Sequence, residues 1–384
     1  MARILLSWEL GNGIGYARRL ASVADRLAAE GHEPVLSLRD VTALSESAHP
    51  VLQAPVVVGR LRPGTRSFVP AGFADLMACN GFGSVEHLAG IVSDWQKVID
   101  FARPALIVAE YAPSLVLAAW RRVPTVLIGT PYLMPPAESR VFPEQEGIRP
   151  YADQSAVLMV MRQSQDARGG PPPEHVTQPF AEAARVPYSL PELDPWSRQR
   201  REGLAGLWEP VAPSELPDRP RLFAYLSPQA PGFAVAVDAL RRAGIASEAF
   251  IPGCPSDLEP ILAASAVTLK REPPPLAEAI EGASLILHHG GIDTAQTALA
   301  LGRPQLLLPR YLDQRLSAEA LQSLGTGLLL SRAQPPERLA EAVRRAAQDA
   351  GFGERARLRA LLIARRGVGD ALDATVKAAR ALLG

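Results

Sequence analysis

The stretch LILHHGGIDTAQTALALGRPQLLLPRYLDQ, residues 285–314, constrains the fold more than any other part of the chain. Leu285, Ile286 and Leu287 form an unbroken apolar run, which suits a strand buried on both faces of a parallel sheet. His288, His289, Gly290 and Gly291 then turn the chain; residues 294–301 carry good helix formers, and Gly302 supplies a stop. Residues 305–308 read as the next strand. Strand, glycine turn, helix and strand in that order bring unpaired N–H groups and the positive end of a helix to the carboxyl edge of a sheet. Such an edge suits a phosphate or diphosphate. Gly290 and Gly291 let an anion approach the backbone. His289 is expected to donate a charge-assisted hydrogen bond to it and Thr294 to add a hydroxyl, while Asp313 and Gln314, just past the next strand, can hold sugar hydroxyls. Asp293 either caps the helix or lies close to the anion. Paired glycines alone would equally close an ordinary strand-to-helix turn, so the weight rests on the whole pattern.

A chain of 384 residues is long enough for two domains, and its 47% hydrophobic content can supply both cores. Forty basic residues balance forty acidic ones, so no net field draws the protein to nucleic acid. Cys79 and Cys254, the two cysteines, make neither a disulfide framework nor a metal site. The first residues, MARILLSWELGNG, hold too short an apolar run for a signal peptide, and no stretch reaches membrane-spanning length. A cytoplasmic protein without a membrane span is expected.

From the start, residues 4–7 read as a buried strand and residues 11–15, GNGIG, as a glycine turn into a helix. Leu20, Val23, Ala24 and Leu27 fall on one face of that helix, Gly31 ends it, and residues 34–38 form the second strand. Asp40 after that strand invites a dinucleotide reading, but the glycines run G-x-G-x-G and depart from the G-x-G-x-x-G fingerprint. Further strands are expected at residues 56–58, 105–109 and 125–128, and helices at 85–101 and 115–121. A loop-rich region follows residues 56–58. Residues 130–208 shift to Pro, Arg and Glu with little periodicity, and residues 209–220, EPVAPSELPDRP, have the composition of a semi-rigid linker. A sheet restarts at residues 221–226, with a helix at 235–243 and strands at 249–251 and 267–269. Pro335 and Pro336 open another helix, and residues 370–383 are helical.

HHGG, Thr294, GRPQLLLP and Asp313-Gln314 together resemble the donor-binding signature of nucleotide-sugar glycosyltransferases of the GT-B fold. The similar family contains the antibiotic, macrolide and flavonoid glycosyltransferases. The resemblance implies an α/β chain of two Rossmann-like domains facing across a cleft: an acceptor domain over residues 1–208, a linker over 209–220, a donor domain over 221–369, and a tail, 370–384, crossing back to the first. It places the diphosphate on His289, Gly290, Gly291 and Thr294 and the donor sugar on Asp313 and Gln314. Ser227 then ends the strand whose loop faces the donor, and Pro275 and Leu276 lie where the family packs against the base. Ile292-Asp293 departs from the usual Ala-Gly before the threonine. The largest departure is Tyr16, which stands where the family carries its catalytic histidine, with Glu110 at the place of the supporting aspartate.

Sugar transfer needs a leaving-group site, a sugar pocket and a group that deprotonates the acceptor. The resemblance supplies the first two, implies an inverting reaction, and suggests a hexose from a UDP- or dTDP-sugar moved to a small, largely apolar acceptor. No Asp-x-Asp pair is present in the donor stretch, so transfer without metal or other cofactor is expected. A phenol is a poor base at neutral pH. Glu110 is therefore the first candidate base, Tyr16 an orienting group, and Glu9 a further option. Two alternatives stay open: a catalytically silent homologue that binds nucleotide or partners an active enzyme, and a nucleotide-sugar epimerase of the same fold. Homodimerisation is also left open.

Overall fold

The computed structural model describes residues 1–44, 46–61, 65 and 68–384. They divide into two α/β units. The first comprises residues 1–188, 196–209 and 370–384. Its six strands are β1 (Arg3–Trp8), β2 (Glu33–Leu38), β3 (Val51–Gln53), β4 (Leu106–Glu110), β5 (Thr125–Gly129) and β6 (Ala184–Pro187). They pair in parallel in the order β3-β2-β1-β4-β5-β6. The second unit comprises residues 189–195 and 210–369. Its strands are β7 (Arg221–Tyr225), β8 (Ala246–Phe250), β9 (Val267–Lys270), β10 (Leu285–His288), β11 (Gln305–Leu307) and β12 (Gly327–Leu329). They too are parallel, in the order β12-β11-β10-β7-β8-β9.

The apolar runs explain these sheets. Every residue of β4 and β10 is buried, as helices on both faces of a parallel sheet require. The helix Ile14–Ala29 buries Leu20, Val23, Ala24 and Leu27, the face read from their spacing. Each of its large apolar side chains contributes roughly 1.5–3 kcal/mol on burial, so a charge at Leu20 would lift the helix off the sheet.

Each sheet has one place where strand order reverses, between β1 and β4 in the first and between β7 and β10 in the second. Loops leaving the carboxyl ends of two such strands diverge and open a crevice, which is where parallel sheets of this kind take their ligands. The structure thereby singles out the loops after β1 and β4, and those after β7 and β10, before any chemistry is considered.

Residues 56–58 are not a strand. Pro55 removes a ladder donor just before them, and pairing with β2 is made instead by β3. Part of the loop-rich stretch that comes next, residues 62–64 and 66–67, lies outside the described residues. Residues 130–208 hold more order than their composition suggested. Asp153 caps a helix, Gln154–Asp166, by accepting from the Ser155 N–H, and the helix buries Val157 and Met161; β6 comes after it. Residues 189–195, expected in the first domain, cluster with the second.

Residues 210–220 are docked on the second unit by Arg303, a fully buried side chain. Its guanidinium donates to the Ser214 carbonyl (2.8 Å), the Ser214 hydroxyl (2.7 Å) and the carbonyls of Glu215 (3.0 Å) and Glu281 (2.9 Å). The tail helix Ala371–Leu383 buries Thr375, Val376 and Ala379 within the first unit, and Arg380 pairs there with Glu30. Among the described residues no helix is long and apolar enough to cross a membrane.

Candidate active site

In the second unit the crevice is built by a turn that tolerates only glycine at one position. Gly290 has φ +85°, and a Cβ there would lie 2.7 Å from the Gln314 carbonyl oxygen, so the turn after β10 packs directly on the start of the helix Leu312–Ser323. Gly291 has ordinary φ, and nothing lies within 4 Å of where its Cβ would stand. The helix Ile292–Leu301 begins there with no side-chain cap. Its first N–H groups, those of Ile292, Asp293 and Thr294, have no intrahelical acceptor and carry the positive end of the helix dipole.

The neighbouring histidine, His288, had no part in the sequence-based site and turns out to brace it. Its Nδ1 accepts from the Gly290 N–H at 3.1 Å and its Nε2 donates to Gln305 Oε1 at 2.8 Å, while Gln305 Nε2 donates to the Ala295 carbonyl at 3.1 Å. Burial pushes the His288 pKa down to about 4, so the ring is a neutral bridge between strand, turn and helix. A histidine directly before paired glycines, with a glutamine at the start of the next strand, is the signal that could have marked it.

His289 is held from two sides. Its Nδ1 donates to the Leu308 carbonyl at 2.8 Å and its Nε2 accepts from the Ser227 N–H at 3.0 Å, so both nitrogens are engaged. Burial foremost, with the positive charges of Arg310 and Arg332, holds its pKa below the ordinary imidazole value. In this structure the ring is a neutral clasp joining the loops after β7, β10 and β11.

Thr294 is buried, and Asp293, in the first helical turn, is half-buried. Asp313 and Gln314 come together with the glycine turn through the Gln314 carbonyl. Gln314 Oε1 accepts from the Arg310 N–H at 2.9 Å. Burial raises the Asp313 pKa above the usual carboxylate value, partly offset by backbone N–H groups of Gln314 and Asp313. Ser227 donates its hydroxyl to Gln229 Oε1 at 2.8 Å. Pro275 is exposed at the start of the helix Leu276–Glu281, whereas half-buried Leu276 packs on the cluster of Phe223, Phe250 and Ile280.

In the first unit the crevice is lined by aromatic rings. Tyr16 stacks on Trp8 with centroids 5.2 Å apart and planes 12° apart, and it lies 6.4 Å from Tyr111. Tyr111 in turn approaches Phe73, whose ring meets Phe142 and Phe180 edge-on. Tyr111 holds φ +45°, a strained value for a bulky residue, and its carbonyl accepts from the Leu10 N–H at 3.0 Å. Beside Tyr111 is a narrow cavity of about 30 Å³ lined by Phe73, Met134, Phe142 and Phe180.

Glu110 does not project outward as a base would. It is 1% exposed, and its Oε1 accepts from Arg19 Nε at 2.8 Å and from the Tyr188 hydroxyl at 2.9 Å. The same guanidinium lies 5.2 Å from the ring centres of both Tyr16 and Tyr188. Glu110 thus holds Arg19, and Arg19 supports Tyr16, an arrangement that leaves the carboxylate committed inside the fold. Glu9 is also committed: it accepts from Trp95 Nε1 at 2.9 Å and the Ser114 N–H at 3.0 Å, and burial pushes its pKa up to about 7.

Comparison with known proteins bears on the fold. Residues 271–365 match the erythromycin biosynthesis protein CIII-like, C-terminal domain. Elloramycin glycosyltransferase ElmGT of Streptomyces olivaceus is 43% identical over 14% of this chain and 14% of its own length. L-demethylnoviosyl transferase of Streptomyces niveus is 38% identical over 15% of each. The chain thus matches about a seventh of the length of these curated relatives. Solved structures align over nearly the whole chain. The calicheamicin glycosyltransferase CalG4 gives a TM-score of 0.68 at 20% identity, over 100% of this chain and 98% of its own. SnogD from Streptomyces nogalater gives 0.65 at 21% identity over 98% of each. VinC, solved with dTDP, gives 0.63 at 15% identity over 99% of each. The fold is that of the GT-B glycosyltransferases, and residues 271–365 are similar to the EryCIII-like carboxyl-terminal domain.

Proposed function

We propose that the protein is a glycosyltransferase that moves a hexose from a UDP- or dTDP-sugar to a small, largely apolar acceptor, inverting the configuration and using no metal. The observation that carries this is the open turn at Gly291 before an uncapped helix, with Asp313 and Gln314 packed against the same turn. The helix N-terminus supplies fixed donors where negative charge grows on the leaving diphosphate. Asp313 and the Gln314 amide hold the sugar. The family match over residues 271–365 and the dTDP complex of VinC support a nucleotide donor at this unit.

On the acceptor side, half-buried Tyr16 and Tyr111 offer aromatic surface to an apolar molecule. Tyr16 orients the acceptor, and Glu110 acts through Arg19 as a positioning residue. With Glu110 and Glu9 both held inside the fold, transfer relies on donor activation and on an acceptor hydroxyl acidic enough to ionise readily. The commitment of Glu110 to Arg19 equally favours a second reading, a nucleotide-binding protein without transfer activity. Titration with UDP and dTDP, followed by incubation of UDP-glucose and dTDP-rhamnose with phenols of graded acidity, tests both. A glycosylated phenol establishes transfer; diphosphate binding with no sugar released from either donor leaves the silent binder; absence of diphosphate binding removes both.

A further inference from the structure

If the second unit takes a nucleotide-sugar, the reading on which this inference rests, its diphosphate site lacks an evident source of positive charge. Asp293 brings an acidic side chain into the first helical turn after Gly291, and His289, engaged at both nitrogens, is neutral. A helix terminus contributes only about half a charge. A nucleoside diphosphate carries more negative charge than that.

Two arginines stand around the His289 clasp on loops of the same edge. Arg310 comes after β11, directly beyond the segment whose Leu308 carbonyl accepts from His289, and its backbone is pinned by Gln314. Its guanidinium lies 5.1 Å from the Tyr311 ring centre and donates to the Tyr311 hydroxyl at 3.2 Å. Arg310 Nε is buried without an acceptor among the described residues. A guanidinium so placed exchanges a weak contact for a strong one by turning onto an anion, because Nε and a terminal nitrogen together match two phosphate oxygens. Arg332 comes after β12, and its Cβ and Cγ lie 3.2 Å from where a Cβ on Gly232 would stand, at the end of the loop that begins with Ser227. Both arginines act electrostatically on His289.

We propose that Arg310 and Arg332 are the cationic half of the diphosphate site: they meet the charge of the donor phosphates, while His289 positions the loops that carry them. The helix N-terminus and Gly291 then fix where the phosphates lie, and the arginines set how tightly they are held.

Calorimetric titration of the full chain with dTDP, thymidine, UDP and uridine tests this, with Arg310→Met, Arg332→Met, the two Lys variants and the wild type compared at several salt concentrations. Each Met variant is expected to bind the diphosphates about tenfold to a hundredfold more weakly, the worth of one charge-assisted hydrogen bond. Nucleoside binding stays unchanged, the salt dependence of diphosphate binding flattens, and Lys recovers part of the loss. Met variants that bind dTDP and UDP as the wild type does overturn the proposal and leave the glycosyltransferase reading standing. A wild type that binds neither diphosphate, or binds them no better than the nucleosides, overturns both. If a Met variant fails to fold, the folded Lys variant decides through its nucleoside-to-diphosphate ratio: a ratio equal to that of the wild type, with wild-type diphosphate binding itself the same at low and high salt, overturns it.

Discussion

Alanine at Gly290 and at Gly291 should fail in opposite ways. At Gly290 the backbone has φ +85°, where alanine costs about 1–2 kcal/mol. The added methyl would also stand 2.7 Å from the Gln314 carbonyl oxygen and 3.5 Å from its Cα, a backbone that cannot step aside without shifting the helix Leu312–Ser323. Strain and clash together put the loss of stability at roughly 2–4 kcal/mol. At Gly291 the backbone is already compatible with alanine (φ −58°, ψ 138°), and the methyl meets nothing. Stability there should hold or rise by about 0.4–1 kcal/mol as the unfolded chain loses freedom. The same methyl projects into the space through which an anion reaches the helix N-terminus, so dTDP affinity should fall at least about tenfold. Urea unfolding and dTDP titration of both variants separate the two effects. A Gly291→Ala protein with unimpaired dTDP binding would refute the placement of the diphosphate, and a Gly290→Ala protein as stable as wild type would refute the close approach of turn and helix.

Asp313→Ala should spare dTDP and UDP while weakening use of the intact sugar nucleotide by about tenfold to a hundredfold, read from initial rates and competition binding; equal loss of both ligands would place Asp313 elsewhere. Glu110→Gln leaves Arg19 buried beside a neutral amide and should cost about 3–5 kcal/mol of stability. Its rate per folded molecule should change less than about tenfold, and a stable variant slowed a hundredfold or more would restore Glu110 as the general base. Glu9 gives a pH signature. Its folded pKa of about 7 lies above the ordinary 4.5, so the folded state holds the proton more tightly and stability falls as pH rises through that window. The loss amounts to about 3 kcal/mol between about pH 4 and pH 8. Denaturation across that range should therefore show Glu9→Gln gaining on wild type as pH rises, and a constant difference would contradict it.

The glycine turn, the helix after it and most buried strands were legible because their signals are local: an apolar run, a turn residue, a stop. The chemistry of the same segment was not. The protonation of His289 depends on Leu308, 19 positions away, and on Ser227, 62 positions away. Glu110 looked available because its partner Arg19 lies 91 positions earlier, on the helix Ile14–Ala29. Likewise residues 209–220 have the composition of a semi-rigid linker, and only the depth at which Arg303 is buried shows that residues 210–220 are tied down. Local pattern places a backbone; the charge state of a side chain is set by what the fold brings to it.

Each unit has a crevice of its own, made by the same topology, and the two are lined differently, which under the proposed function suits only the second to a diphosphate. In the first, the loops after β1 and β4 are joined by the Leu10 N–H and the Tyr111 carbonyl. The space beside Gly11 is taken by Tyr16 and Tyr111, whose atoms lie 3.0–3.2 Å from where its Cβ would stand. Arg19, the nearby cation, is spent on Glu110. In the second, the loops after β7 and β10 are joined through His289, and the space beside Gly291 is open. An apolar ring gains by replacing water against Tyr16 and Tyr111, whereas an anion there would be desolvated with its nearest cation already paired. At Gly291 the balance reverses, since backbone donors face the opening and cost no reorganisation when charge arrives. Under the proposed function, the division of labour between an apolar acceptor and a charged donor follows from what lines one shared strand order: aromatic rings beside Gly11 in the first unit, open space beside Gly291 in the second.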